Sequence, residues 1–214
     1  MNPFSIRTGL LLLALLGAGT VMGGTPSFEQ RLAEAALEQT QHRVRYDGAY
    51  VPIPYPGGDV PADTGVCTDV LIRAYRKLGI DLQKEVHEEM CDHFDVYPKY
   101  WGLSRPDTNI DHRRVPNLQV FFKRKGQPLP ITDRAEDYKT GDLVTWMLPG
   151  NLPHSGIVVD QFSEDGQRPL IVHNIGQGPK LEDILFLFPI TGHYRYHGPP
   201  SLDNAGRASA RQRR

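Results

Sequence analysis

Apolar residues recur at helical spacing through the first half of the chain. Four segments show this spacing, and each predicts a helix: residues 27–45, 63–79, 80–94 and 115–123. The second segment has a well-defined pattern, because its apolar residues share one face from Val70 to Leu78. Asp63 or Thr64 is the predicted N-cap of this helix, and Gly79 is its predicted end.

The second half of the chain changes to short strand-like runs. β-Branched and apolar residues cluster in four runs separated by Gly, Pro and Asp-Gly turn signals: residues 142–146, 155–159, 170–173 and 194–196. Helices that precede a small antiparallel sheet indicate an α+β fold with N-terminal helices packed on the sheet, rather than a parallel doubly wound sheet.

The two ends of the chain differ in composition from the middle. Arg7 precedes an apolar run at residues 10–18, and small residues continue to Gly24, which outlines a secretory signal peptide over residues 1–24. The run is short for a transmembrane helix, so we expect export to the periplasm with no stable membrane span after cleavage. Residues 25–198 are predicted to form one domain, and the arginine-ended residues 199–214 a disordered basic tail.

The charge balance argues against a nucleic-acid partner. The chain has 24 Lys and Arg residues against 25 Asp and Glu residues, and no basic face is concentrated outside the tail. Its two cysteines, Cys67 and Cys91, are compatible with one disulfide or with two free thiols. Two cysteines are too few for a disulfide scaffold, so the fold must depend on its hydrophobic core.

Cys67 lies in the first turn of the predicted helix over residues 63–79. Unpaired N–H groups and the positive end of the helix dipole favour a thiolate at that position, and the thiolate is the nucleophilic form. The buried apolar face of the helix would hold the first turn rigidly. Cys67 is therefore a candidate nucleophile, with two alternatives: a small buried apolar residue, or half of a disulfide with Cys91.

A nucleophilic thiol needs a base and a group that orients the base. His154 stands just before the predicted strand 155–159, and His173 ends the strand 170–173 and is followed by Asn174. We therefore expect the His154 ring within a few ångströms of the Cys67 sulfur, with His173 or Asn174 on the far side of that ring.

A metal centre is the rival chemistry, because imidazole and thiolate are zinc ligands. Four histidines would be available with Cys67: His112, His154, His173 and His193. None of their spacings matches a zinc finger or a His-Glu-x-x-His helix. We therefore predict no metal and no cofactor.

Five motifs carry a resemblance to known families. They are Gly-Val-Cys-Thr-Asp at residues 65–69, Ser-Arg-Pro-Asp-Thr-Asn-Ile-Asp-His-Arg-Arg at residues 104–114, Gly-Asp-Leu-Val-Thr-Trp at residues 141–146, Pro-Gly-Asn-Leu-Pro-His at residues 149–154 and Val-His-Asn-Ile-Gly at residues 172–176. Over about residues 40–197 the chain resembles an exported bacterial family catalogued as a domain of unknown function. More distantly, it resembles the NlpC-type branch of papain-like hydrolases, which are bacterial cell-wall cysteine peptidases.

The NlpC-type resemblance implies a role for each matching position. Cys67 matches the nucleophile, His154 the base and His173 the orienting residue. The chain departs from the pattern at Val66, because many NlpC-type enzymes have Asp directly before the nucleophile; here Asp69 follows two residues after it. This departure puts the substrate preference in question.

The function implied is hydrolysis of amide bonds in peptidoglycan peptides or a related envelope substrate. Endopeptidase, amidase, esterase and acyltransferase activities all stay open. The alternative from another class is a papain-like domain that holds a peptide or cell-wall fragment in its groove without cleaving it.

The irregular run at residues 107–114 has two interpretations. It is either a loop held by its own Asp, Asn and Arg hydrogen bonds or one wall of the substrate cleft. On the second interpretation the predicted substrate-binding residues are Asp69, His112, Arg113 and Asn174. The aromatic residues of the preceding loops are interpreted as loop packing rather than as a sugar platform: Tyr46, Tyr50, Tyr55 and Trp101.

Overall fold

The computed structural model describes residues 25–199, and four α-helices lie within them. They are α1 (Phe28–Gln39), α2 (Cys67–Lys77), α3 (Leu82–Asp92) and α4 (Val115–Lys125). Every predicted helix is present, but α1 is shorter than predicted and ends at Gln39. No helix within residues 25–199 is long and apolar enough to cross a membrane. The predicted signal peptide, and the predicted tail beyond residue 199, lie outside the described residues.

Most of the strands form one antiparallel sheet in the second half of the chain. A short parallel pair comes first, β1 (Arg45–Tyr46) with β2 (Thr64–Gly65). The sheet itself contains β3 (Gln127–Pro128), β4 (Leu143–Leu148), β5 (Leu152–Phe162), β6 (Pro169–His173), β7 (Lys180–Glu182) and β8 (Ile190–Arg195). Its strands lie in the order β3-β8-β4-β5-β6-β7, and every neighbouring pair is antiparallel.

This arrangement confirms the α+β class. The sequence analysis found the four longer strands of the sheet and missed β3 and β7. Those two strands contain two and three residues, and runs that short are too brief to show an alternating pattern.

The sheet separates two hydrophobic cores, because successive side chains of a strand point to opposite faces. One face packs against the helices; its buried side chains include Leu143, Ile157, Val159 and Val172, with Leu32, Leu71, Tyr75 and Phe121 from the helices. The other face is covered by the loops before β4 and before β8; its buried side chains are Tyr138, Val144, Trp146, Val158, Ile171, Ile184 and Leu185. The alternation therefore decides which core each residue of β5 meets.

His154 lies inside β5 and not before it. The strand begins at Leu152, and His154 pairs with Trp146 across the β4–β5 hairpin. The sequence analysis predicted that the strand starts at residue 155, three residues later than observed. Pleating places His154 on the face of Trp146 and Val158, and Ser155 on the face of the helices.

The predicted N-cap of α2 is wrong. Thr64 and Gly65 are already paired with β1, so the chain is extended there and the helix starts later. Val66 is the N-cap residue, and its backbone N–H donates to Asp69 Oδ2 over 2.7 Å. Cys67 is therefore the first residue of α2, and its predicted place in the first turn of the helix is correct.

Gly156 lets β5 and β6 approach closely beside the two histidines. A Cβ at this position would lie 2.6 Å from Ile171 Cγ2 and 3.1 Å from His173 Cβ. We expect Gly156→Ala to lower the free energy of unfolding by about 1–3 kcal/mol, the usual cost of overpacking. Urea denaturation measures it.

Gly48→Ala is the matched control, because its Cβ would meet only Val66 Cγ1 at an ordinary 3.7 Å. Equal stability of the two variants would contradict the close approach of the two strands.

Candidate active site

Cys67 lies on the wall of an open cleft of about 940 Å³ between the helices and the end of the sheet. The side chain is buried, with 5% of the residue exposed. Its neighbours are the backbone of Thr68 and both the backbone and the hydroxyl of Ser155 on β5. The thiol thus stands where the start of α2 meets the helix-facing side of the sheet.

Burial raises the pKa of the Cys67 thiol above its usual value. The hydroxyl and N–H of Ser155 and the N–H of Thr68 act in the opposite direction, while the nearby Asp69 carboxylate adds to the increase. The expectation that the helix N-terminus would favour a thiolate is therefore wrong for the free protein: loss of hydration outweighs the N–H groups. Cys67 rests as a protonated thiol at neutral pH.

His154 and His173 form a buried pair on the other face of the sheet. His154 Nε2 lies 3.1 Å from His173 Nδ1, with the two rings perpendicular. Burial, together with the smaller effect of the neighbouring His173, lowers the pKa of His154 to about 3. His154 is therefore a neutral imidazole at neutral pH. His173, rather than Asn174, is the residue that orients it.

Glu182 on β7 extends this pair. Its Oε2 lies 2.9 Å from His173 Nε2, although the ring N–H does not point at the oxygen well enough for a hydrogen bond. The pKa of His173 is lowered by burial, and the Glu182 carboxylate acts against that decrease. The sequence analysis missed Glu182 because β7 has only three residues, which is too short to show an alternating strand pattern.

The thiol and the histidine pair meet at adjacent residues of β5. Ser155, which touches the sulfur, directly follows His154. Among the described residues, the hydrogen bonds include none between Cys67 and His154, and none to His154 Nδ1. His154 Nδ1 therefore has no hydrogen-bond partner among the described residues. A direct contact between this ring and the Cys67 thiol stays a prediction.

Asp69 and Arg113 form a buried ion pair that supports the first turn of α2. Arg113 donates from Nε and Nη2 to the two Asp69 oxygens, each over 2.9 Å. The same guanidinium reaches the carbonyl oxygens of Asp47 and Ala49. Every nitrogen of Arg113 donates a hydrogen bond, so Asp69 and Arg113 both have a structural role. Their predicted role in substrate binding stays a prediction.

Two other predicted binding residues, Asn174 and His112, lie away from the open cleft, whose lining does include Arg113. Asn174 is buried; it donates to Gly65 O and accepts from the Gly176 N–H, which ties the end of β6 to the strand before Cys67. His112 is buried near the charges of Arg113, Asp81 and Arg76, and burial lowers its pKa to about 4. Neither residue belongs to the described lining of the cleft.

The cleft lining includes three aromatic residues that the sequence analysis interpreted as loop packing, together with Tyr100. Tyr46, Tyr50 and Trp101 each expose 40% or more of their surface into this region, and Tyr100 exposes more still. Tyr55 differs, because it packs edge-on against His87. A second depression of about 670 Å³ beside the ends of α1 and α2 contains none of the predicted catalytic residues.

Both cysteines are free thiols. Cys91 lies on α3 and is exposed, whereas Cys67 is buried, and the two form no disulfide. The remaining histidine of the rival metal centre, His193, is held by Asp142 Oδ2 and the carbonyl of Pro130. Within residues 25–199, no group of three or more His, Cys, Asp or Glu side chains is arranged to hold a metal ion.

The model of the domain of unknown function DUF1287 matches residues 33–196. The chain belongs to this family. A relative is the uncharacterized protein YijF of Escherichia coli strain K12, which is 51% identical over 165 residues, or 77% of this chain and 80% of YijF. The predicted membership of a family of unknown function is thereby confirmed.

Two solved structures similar to this DUF1287 chain are NlpC1 and NlpC2 of Trichomonas vaginalis. Their sequence identities are 17% and 15%, each with a TM-score of 0.43. Each alignment covers 82% of this chain, but only 46% and 49% of the respective NlpC chains.

Ser155 offers a test of what controls the thiol in this DUF1287 chain. Its hydroxyl is sealed from solvent, has no regular hydrogen bond to another described residue, and lowers the pKa of Cys67. Removing it in Ser155→Ala should raise that pKa, so thiol alkylation should reach half its maximal rate at a higher pH.

Ser163→Ala is the matched control, since Ser163 lies just beyond the far end of β5 and bonds Asp165. Cys91→Ala in every variant leaves Cys67 as the one reporter. An unchanged or lowered alkylation midpoint in Ser155→Ala would refute the assigned contact.

Proposed function

We propose that this protein is an exported cysteine hydrolase that cleaves amide bonds in peptidoglycan peptides or a related envelope substrate. The observation that carries the proposal is the His154–His173 pair, 3.1 Å apart, one residue along β5 from the residue that touches the Cys67 sulfur. Nucleophilic catalysis requires such an oriented, neutral imidazole within hydrogen-bond reach of the thiol, so the proposal requires the His154 ring to reach Cys67 when substrate is bound.

In the proposed reaction the Cys67 sulfur attacks the amide carbonyl carbon, while its proton passes to His154 Nδ1. The resulting imidazolium then protonates the leaving amine, the C–N bond breaks, and a thioester with Cys67 remains. His154, neutral again, takes a proton from water, whose oxygen attacks the thioester and releases the acid and the thiol. The Cys67 backbone N–H at the start of α2 is the proposed donor to the oxyanion.

The resting protonation states of Cys67 and His154 define when the thiolate and the imidazolium form in the proposed reaction. Since burial raises the pKa of Cys67 and lowers that of His154, the resting pair is thiol and imidazole rather than thiolate and imidazolium. Proton transfer must therefore accompany attack on the substrate. Glu182, 2.9 Å from His173, supports this step because a carboxylate stabilises positive charge on the histidine pair.

The same buried, protonated thiol favours a second candidate. Without a recorded hydrogen bond between Cys67 and His154 in the described residues, the cleft is also suited to holding a peptide or wall fragment without cleaving it. Exposed Tyr46, Tyr50 and Trp101 would provide the contact surface. The two candidates differ in turnover and not in binding.

Substitution of the thiol and of the base separates the two candidates. Cys67→Ala should abolish hydrolysis of muropeptides, and His154→Ala should lower the rate by about 10²-fold or more, the usual loss of general base catalysis. Cys91→Ala and His42→Ala are matched controls, because both residues are exposed. Mass spectrometry of the products measures the rate and identifies the bond that is cleaved.

Full hydrolysis by Cys67→Ala would refute the thiol mechanism. Binding of muropeptides by the reduced parent chain with no product formed would replace the hydrolase proposal with the binding-domain candidate.

The periplasm is the proposed site of action, on the ground of the apolar run at residues 10–18. Residues 1–24 fused to a reporter that is active only after export should give active reporter, whereas the reporter without them should stay inactive. Equal activity of the two fusions would contradict export by this segment.

A further inference from the structure

Arg114 lies on the wall of the cleft that contains Cys67. It is the N-cap residue of α4, and only 16% of its side chain is exposed. Its guanidinium carbon lies 3.9 Å from the centre of the Trp101 ring. A guanidinium at that distance is held by cation–π attraction and stacking.

The hydrogen bonds of Arg114 leave part of its guanidinium free. One recorded bond joins Nη1 to Asp111 Oδ1 over 3.1 Å. Nε and Nη2 make no hydrogen bond within residues 25–199, and neither atom is sealed from solvent. Nε and Nη2 together form the fork that binds the two oxygens of a carboxylate.

The preceding residue, Arg113, differs because its guanidinium has no free nitrogen. All of its nitrogens bond to protein oxygens, two of them to the Asp69 carboxylate. Two adjacent arginines therefore have different tasks: Arg113 joins parts of the fold, and Arg114 keeps two donors available to the cleft. The predicted binding residues in this run were His112 and Arg113, but the free donors belong to Arg114.

The charge of the cleft points to the same kind of ligand. Arg113 and Arg114 belong to its described lining, whereas no Asp or Glu does. Asp111 neutralises part of the Arg114 charge but is buried behind it, with 1% exposed. A ligand in the cleft thus meets a cationic edge mounted on an aromatic surface, with no carboxylate of the described lining to repel an anion.

We propose that Arg114 and Trp101 form a carboxylate-binding subsite, which selects peptides carrying a free carboxylate for the cleft. This proposal rests on the proposed function only in treating the cleft as the place where a peptide substrate binds. Arg114 is here a specificity-determining residue and takes no part in bond cleavage. Trp101 holds the guanidinium plane so that its free edge serves the ligand.

The test uses the full chain with Cys67→Ala, so that binding is measured without turnover. The probe is one synthetic peptidoglycan stem tetrapeptide in two forms, with its carboxylates free or converted to carboxamides. Isothermal titration calorimetry should show the carboxylate form binding about 10- to 100-fold more tightly, the range for a hydrogen bond to a charged group. Arg114→Gln should remove that preference and leave the affinity for the carboxamide form unchanged.

Arg105→Gln is the matched control, because Arg105 is exposed and lines a different depression. It should retain the preference. Trp101→Leu and Arg114→Lys provide variants in case Arg114→Gln does not fold, as judged by its thermal midpoint. Both should weaken the preference, since one removes the platform and the other keeps the charge but loses the fork.

Equal affinity for the two peptide forms would overturn the proposal, as would equal losses in Arg114→Gln and Arg105→Gln. Retention of the full preference by Arg114→Lys and Trp101→Leu would overturn it as well. Hydrolysis assays of the parent chain keep the two proposals apart. Arg114-dependent binding without hydrolysis would refute the hydrolase alone, and equal kcat/KM for both peptide forms would refute the subsite alone.

Discussion

The buried ion pair between Asp69 and Arg113 is the contact on which the site depends. Asp69 also accepts the N–H of Val66, so it defines where α2 begins, and Arg113 binds the carbonyls of Asp47 and Ala49. Three distant segments meet there, directly beside Cys67. Removing one partner of such a pair leaves an unpaired buried charge, which typically costs about 3–5 kcal/mol. The first turn of α2, and with it the thiol, is therefore fixed in place.

Burial that provides this rigidity also reduces the reactivity of the site. The same loss of hydration raises the pKa of Cys67 and lowers that of His154. A neutral Cys67 and a neutral His154 avoid a permanent charge separation inside the protein, and in the proposed mechanism proton transfer then waits for attack on the substrate. Also in that mechanism, the chain of His154, His173 and Glu182 places a partly exposed carboxylate behind the proposed base.

The cleft and the candidate catalytic residues have different origins in the fold. Cys67 and Ser155 meet where α2 packs on β5, whereas His154 and His173 lie on the opposite face of β5 and β6. The cleft wall comes instead from the loops before α2 and α4, which contribute exposed aromatic rings and Arg114. Under the proposed function, the reacting groups belong to the core and the loops bind the substrate, a division that would let substrate preference change without disturbing the nucleophile.

The sequence by itself determined the α+β class, all four helices, the four longer strands and the candidates Cys67, His154 and His173, because these depend on periodicity and local motifs. It could not determine the strand β7, the N-cap of α2 at Val66, or the faces on which His154 and Ser155 lie. Those features depend on pairing between segments far apart in the chain. Tertiary structure also decided the direction of the Cys67 pKa and the different tasks of Arg113 and Arg114. Burial and hydrogen-bond partners exist only after the segments have packed, and no local pattern encodes them.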